Sequence, residues 1–449
     1  MKRPLVLSLA FAAAALLLGW FLLPQAPLRW LPAVDVQLSI APDPEGSLDQ
    51  THRSGLQALV QDLLEGQRGA AVTRTETTHD LRHRTEVPIY HLELNPRRRG
   101  NDLVMDFRWR KGSGPWREVR REPAPPREAL ERFRRGLPFW VRPNSRDLLL
   151  PGDPADAWTL IELNGRTVGD PARPDFQQLA GALAQRHPDC ATAWWTLGRA
   201  ALVDLIIRAN RMPESRETAF RALERCLDLS PTHAAAQAYL AQGYTDLGEP
   251  SRGLAVLARA LSRQPRVTIL LQQVAYSARC AGLLDLARRA IDRRRETVPI
   301  PLGIENALLY SGAWNDFEAQ LLAEVEAQGW RAPSQRFYWG YVTLLRGDRT
   351  LAARRFPPPP GQGWSPYRFG RLGRLFLDLC EDRHDSARLL LGDLLKDHQA
   401  LRAPDGEYTL KLAEAAALLG ERELALDLAG LAATHGFGCV AWYERSPLL

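Results

Sequence analysis

Residues 234–265 read AAAQAYLAQGYTDLGEPSRGLAVLARALSRQP. Two alanine-rich amphipathic runs are separated by Gly-Glu-Pro and closed by a proline, which predicts a pair of antiparallel helices. A hairpin that occurs once is an ordinary packing unit, whereas a repeated one builds an array that works through its surface. Prolines recur at Pro231, Pro265, Pro299 and Pro333, each 34 residues from the last. The hairpin is one unit of an array.

In the unit that begins at Ala234, the small residues Ala241, Gly253 and Ala260 alternate with Leu240, Tyr244 and Leu257. Small side chains let two helices touch, and a proline ends the second; this is the pattern of the tetratricopeptide repeat. Upstream, ATAWWTLGRAALV and ETAFRALERCLDLSP carry Trp194, Leu197, Gly198, Ala219, Leu223 and Cys226 at matching places, with ANRMPES inserted between them. Downstream, VTILLQQVAYSARCAGLLDLARRAIDRRRETVP supplies Ala275, Ala278 and Ala287, and GIENALLYSGAWNDFEAQLLAEVEAQGWRAP is a poorer copy. The predicted array spans residues 153–356, until PPPPGQG at 357–363 interrupts it, and two further helical hairpins fill 364–449.

Ahead of the array the hydrophobic period changes. VDVQLSI at 34–40 alternates strictly, as a strand with one buried face does, and Leu56, Leu59, Val60, Leu63 and Leu64 then fall at helical spacing. Strands are expected at 71–75, 87–94, 103–109 and 116–121, with a turn at KGSGP (111–115), and a short helix closes the unit near Leu137. The result is a small α/β domain of order β-α-β-β-β-β-α over 33–145. The overall fold class is α+β: an amino-terminal membrane helix, the α/β domain, then an all-α solenoid.

The membrane helix is read from residues 1–25. After Lys2 and Arg3 no charged residue occurs from Pro4 to Pro24. About 20 apolar residues suffice to cross a bilayer, and basic residues keep the short end in the cytoplasm. LLPQAP offers no small-x-small cleavage site, so an uncleaved anchor through residues 4–23 is expected; a cleaved signal is the other reading, and both export the remainder. The bulk of the chain is then periplasmic, on a single-pass inner-membrane anchor.

This combination resembles a known arrangement. The α/β element order is similar to the domain related to the amino-terminal domain of TolB, found beside tetratricopeptide repeats in CadC-type membrane-anchored bacterial regulators. The ending GFGCVAWYERSPLL resembles the closing segment of their arrays. Such regulators carry a winged-helix DNA-binding domain before the span; only three residues precede the apolar run here, so no direct nucleic-acid contact is expected. The resemblance implies a scaffold or the sensory half of a regulatory complex, with a chaperone-like assembly factor for an envelope machine as the alternative. It also implies a groove for a protein or peptide partner. Carried over residue by residue, its lining is Trp195, Arg199, Gln242, Asp246, Gln272, Tyr276, Arg279, Asn306 and Tyr310. Of these, Trp195, Arg199, Gln272, Tyr276, Arg279 and Tyr310 should be more exposed than Leu197, Leu240 or Ala260. The oligomeric state is left open.

Chemistry-bearing motifs are sparse. The net charge of +6 is almost all arginine, mixed with carboxylates, and no nucleic-acid reader motif accompanies it. The Rossmann glycine fingerprint, a P-loop and a nucleophile elbow are all missing from the sequence. The isolated His-Asp pair His384-Asp385, beside Cys380, falls in an expected hairpin turn and is the best local candidate for chemistry, so no enzyme, cofactor or metal is predicted. His91 on a strand and Cys439 near the end are read as structural. Five cysteines lie at spacings that suggest no metal site. Cys190 starts one helix and Cys226 lies late on its antiparallel partner, which makes them the pair for a possible disulfide.

Overall fold

The structure is a computed structural model describing residues 35–68 (save 42, 44 and 45), 71–74, 88–138, 150–166, 174–207, 214–295, 306–401 (save 331, 359, 360, 362, 366 and 367) and 404–449. The predicted membrane helix lies outside these residues, and among them no helix is long and apolar enough to cross a membrane. The chain divides into two compact units. One comprises the described residues up to Gly243 with Ala255–Gln273; the other comprises Tyr244–Leu254 with Val274–Leu449.

The first unit opens with the α/β domain. Strand β1 (Asp35–Ile40) is followed by helix α1 (Gln50–Arg68), then β2 (Ala71–Arg74), β3 (Ile89–Arg99), β4 (Asp102–Lys111), β5 (Arg117–Val119) and α2 (Pro126–Gly136). The strands form one sheet of order β2-β1-β3-β4-β5, with β1 parallel to both neighbours and the remaining pairs antiparallel. Strands β3 and β4 run longer than the alternation predicted, because Gly100 at φ +62° opens a two-residue hairpin that keeps Arg99 opposite Asp102. Two arginines of the Arg97–Arg99 run have partners within the first unit, and Arg99 is exposed. Arg97 pairs with Asp106 at 2.6 Å, and the Arg98 guanidinium lies 4.5 Å from the Trp158 ring centre. Helix α1 buries Leu56, Leu59, Val60, Leu63 and Leu64, as its period required.

Helices α3 (Pro154–Gly165), α4 (Phe176–Arg186), α5 (Ala191–Ile207) and α6 (Ser215–Leu229) continue the unit. Asp153 caps α3 by accepting from the Asp156 amide. Helices α1 and α3 meet through glycines. A Cβ at Gly55 would lie 1.9 Å from the Ile161 carbonyl oxygen, and one at Gly165 would lie 1.8 Å from that of Thr51. The two backbones approach as closely as they do because neither residue carries a side chain.

Cys190 and Cys226 are buried thiols and form no disulfide, correcting that pairing. Cys226 fills a small-residue core slot on α6, while the Cys190 thiol sits at the start of α5, pushed up to about 11 by burial.

The stretch at 234–265 is a helical hairpin, α7 (Ala234–Asp246) and α8 (Pro250–Arg263). The array continues with α9 (Thr268–Cys280), α10 (Leu284–Arg295), α11 (Asn306–Tyr310), α12 (Trp314–Gln328), α13 (Pro333–Leu345), α14 (Arg349–Arg355), α15 (Arg368–Cys380), α16 (His384–Gln399), α17 (Gly406–Leu418), α18 (Arg422–Thr434) and α19 (Val440–Arg445). In the second unit each hairpin turns on a left-handed residue, namely Gly248, Gly282, Gly312, Gly347, Asp382 or Gly420. The next amide bonds back to the last turn, as Glu249 does to the Tyr244 carbonyl and Glu421 to that of Ala416. That is a Schellman ending, which satisfies carbonyls the helix leaves open. The carboxy terminus folds onto the unit's own first turns: the Gly438 amide donates to the Cys280 carbonyl, and a Cβ at Gly436 would lie 2.8 Å from the Gly248 Cα.

Candidate binding site

The nine residues expected to line the groove fall into two groups. Trp195, Arg199, Gln242 and Gln272 belong to the first unit, and Asp246, Tyr276, Arg279, Asn306 and Tyr310 to the second. Only Gln272 is exposed. Trp195 is 5% exposed and Tyr310 1%, against 8% for Leu197 and 6% for Leu240, so the expected order of exposure is reversed for these two.

In the first unit the reason is internal packing. Trp195 meets Tyr239 edge-on at 4.8 Å, and Arg199 donates from Nη2 to the Leu163 carbonyl of α3 at 2.7 Å. Burial lowers the Arg199 guanidinium from its ordinary value, with Tyr239 and Asp62 of α1 opposing. Gln264 donates to the Glu65 carbonyl at the end of α1, and Arg266 pairs with Asp35 of β1 at 2.7 Å. The α/β domain is thus fastened to the first repeats through its own strand and helix. Trp195 is buried within that assembly, and Arg199 is half-buried in it.

The second unit brings three of its five residues, Arg279, Asn306 and Tyr310, onto one carboxylate. Glu407 stands in the first turn of α17, where the helix dipole favours an anion. Its Oε2 accepts from Arg279 Nη2 at 2.5 Å, and its Oε1 accepts from Asn306 Nδ2 at 2.5 Å, the Tyr310 hydroxyl at 2.5 Å and the Tyr338 hydroxyl at 2.9 Å. Tyr276 donates to Asp246, and its ring carries the Arg279 guanidinium at 4.9 Å. A second polar cluster lies on the same helix. Lys411 Nζ donates to the Tyr341 hydroxyl at 2.6 Å and to Glu414 at 3.2 Å, and Trp442 and Ser446 also donate to Glu414. Lys411 and Glu414 are 1% and 0% exposed. Charges so buried persist only when paired and hydrogen-bonded.

The electrostatics follow from this wiring. Burial opposes ionisation of Glu407, but Arg279, the Tyr310 hydroxyl, Lys411 and the Tyr338 hydroxyl outweigh it and hold the carboxyl below its ordinary value. Burial and the Glu407 charge raise Asp405, the N-cap of α17, while burial lowers Lys411. Beside these groups is a cavity of about 400 Å³, lined in part by Tyr276, Arg279, Asn306, Glu324, Tyr338 and Glu407. Asn306 Oδ1, Glu324 Oε2 and Arg279 Nε are buried and have no hydrogen-bond partner.

Sequence reasoning missed Tyr338, Asp405, Glu407, Lys411 and Glu414. A signal existed: in GEYTLKLAEAAAL a lysine and two glutamates interrupt an apolar, alanine-rich helix. The His384-Asp385 pair opens α16 at the turn after α15, with the His384 side chain 44% exposed and that of Asp385 fully solvated. His91 lies on β3 beside Trp116, and Cys439 is buried just before α19. No group of His, Cys, Asp and Glu suited to a metal occurs among the described residues.

No protein-family model matches the sequence, and no curated protein matches it. Among solved structures, the crystal structure of the APC/C hetero-tetramer Cut9–Hcn1 is similar at 11% identity and a TM-score of 0.45, over 66% of this chain and 55% of that one. The chain spans little more than half the length of that protein, and so loose a likeness carries no argument about binding. The class follows from the chain's own geometry. Helical hairpins recurring on left-handed turns, preceded by an α/β domain, make this a helical-repeat protein.

Proposed function

We propose that the protein is a membrane-anchored, exported scaffold, or the sensory half of a regulatory complex, that recognises a protein partner in the cavity of the second unit. The observation that carries the reading is the cavity itself, lined by Tyr276, Arg279, Asn306 and Tyr338 beside a buried and mutually bonded polar cluster. The cavity volume lies within the range of ligand pockets. The apolar run at 4–23 supports anchoring, and the resemblance to the exported part of CadC-type regulators supports a role in sensing.

Two experiments test this. A photo-crosslinking residue at Ser334, a half-buried position lining the cavity, should trap a partner in intact cells. Ser334→Trp should abolish capture by a crosslinker placed at a neighbouring position, and undiminished capture refutes the site. Protease added to spheroplasts should digest the carboxy-terminal hairpins while the protein sediments with membranes; protection of those hairpins refutes the topology.

A further inference from the structure

We infer that the end of the sheet carrying Arg110, Lys111, Trp116 and Arg117 rests on the membrane surface and binds the headgroups of anionic lipids. The α/β domain is then held against the bilayer as well as tethered to it. The inference uses the reading of residues 4–23 as an anchor and adds a second membrane contact, made by the first unit.

Strand register decides which end this is. β1 begins at Asp35, which pairs with Ile89, and the next residue of β3, Tyr90, lies opposite Lys111 of β4. The Gly112 amide donates to the Ile89 carbonyl, so the turn at 111–115 closes the end of the sheet at which β1 begins. Only residues 24–34 join the apolar run to Asp35. A linker of that length spans at most about 40 Å when fully extended. The chain therefore enters the domain from the anchor at the end that bears this turn. The Gly100–Asn101 hairpin closes the opposite end, a strand's length away.

The side chains at this end suit a lipid surface. Trp116 is the one exposed tryptophan among the described residues, at 37%. The guanidinium groups of Arg108 and Arg110, on one face of β4, lie 4.7 and 4.9 Å from its ring centre. On the other face Arg117 lies 5.1 Å from the ring centre of Trp109, and Lys111 is exposed at the turn. Arg108 is paired with Glu93 and Arg120 with Glu118, whereas Arg110, Lys111 and Arg117 make no ion pair among the described residues. Glu118 is the one acidic residue between Arg108 and Arg120. The field there is positive and unspent. At the opposite end the cations have partners: Arg97 meets Asp106, Arg98 lies on Trp158, and Arg99 stands across from Asp102. A tryptophan flanked by basic residues is the combination that settles at the headgroup level of a bilayer. Each basic residue near an anionic surface adds about fivefold to binding.

The test uses the full chain reconstituted in vesicles of phosphatidylcholine, alone or mixed with phosphatidylglycerol, with a nitroxide quencher on some headgroups. A fluorophore is attached at Ser113→Cys in the turn or at Asn101→Cys in the opposite hairpin, both exposed positions, and the parent chain's own labelling is subtracted. Quenching should be strong at Ser113 and weak at Asn101, and should grow with phosphatidylglycerol. It should fall in about 1 M salt, where the screening length is about 3 Å. Reversing the three unpaired cations together (Arg110→Glu, Lys111→Glu, Arg117→Glu) should weaken docking by about a hundredfold or more and bring the Ser113 signal down to that of Asn101. Lys111→Glu alone, at an exposed site, should weaken it by about fivefold or more and keeps the charge test open if the triple variant fails to fold. Equal quenching at the two positions, indifference to phosphatidylglycerol, or an unchanged signal in the folded charge variants each overturn the inference. Carbonate extraction separates the two readings. A protein stripped from the vesicles refutes the anchor, while quenching confined to Ser113 before extraction still upholds the surface contact. A protein that resists extraction yet shows no difference between Ser113 and Asn101 keeps the anchor and loses the contact.

Discussion

The two units use the same hairpins and dispose of their inner residues in opposite ways. In the first, Trp195 and Arg199 are absorbed by the chain itself: Arg199 caps a carbonyl of α3, and α1 crosses α3 at paired glycines. In the second, Arg279, Asn306 and Tyr310 gather around Glu407 and leave a polar cavity beside them. Equivalent repeat positions therefore do not have equivalent roles. What a repeat position does is set by what packs over it.

Removing Glu407 should have the largest effect. Glu407→Ala leaves Arg279 as a buried, unpaired cation, a loss of about 3–5 kcal/mol. Urea denaturation of the variant should show it, and exchanging both partners for apolar residues should recover much of the loss. A small effect of the single change would mean that the polar cluster is not the organiser of the second unit.

Gly55→Ala tests the dry side of the contrast. Its Cβ would meet the Ile161 carbonyl oxygen, so α1 and α3 must separate, at a cost of about 3 kcal/mol on the scale of overpacked contacts. The same change at Gly430, inside α18 where a Cβ would meet nothing, should stabilise by up to about 1 kcal/mol. Equal stability of the two variants would refute the close crossing.

A pH effect comes next. His398 is buried, bonded to Thr409 at 2.6 Å, and lowered to about 4 by burial, Arg368 and His435. Its ordinary value is about 6.5. Between those values the unfolded chain binds a proton that the folded chain does not. The stability this residue contributes is therefore present above about pH 6.5 and lost as pH falls toward about 4. Stability of the parent should fall by up to about 3 kcal/mol more than that of His398→Gln across this window. Parallel pH profiles would show that the imidazole titrates normally.

The smallest change expected is at the fastening of the α/β domain. Arg266→Met leaves Asp35, whose side chain is 10% exposed, without its cation, which should cost about 1–2 kcal/mol. Thermal unfolding would register it. No change would assign the docking to the apolar contacts and glycines alone.

Much of this fold was legible in the residues. The spacing of Pro231 and Pro265 and the alanines between them required a helical hairpin, since only small side chains let two helices approach and proline stops the second. The alternation in VDVQLSI and the period of Leu56, Leu59 and Leu63 required a strand and a half-buried helix, because periods of 2 and 3.6 place side chains on one face. These are local properties, set by a few neighbouring residues. The disulfide was misread because sequence places Cys190 and Cys226 at one end of a hairpin without specifying where their Cβ atoms point. Trp195 and Tyr310 are less exposed than expected because exposure belongs to no residue by itself. Trp195 and Tyr276 occupy comparable helices, yet one is sealed into the first unit and the other borders a cavity. Glu407 reaches Arg279 from 128 positions away, a distance over which no periodicity in the chain carries information. Only folding brings the two charges together, and the need to pair them once buried is what fixes the site.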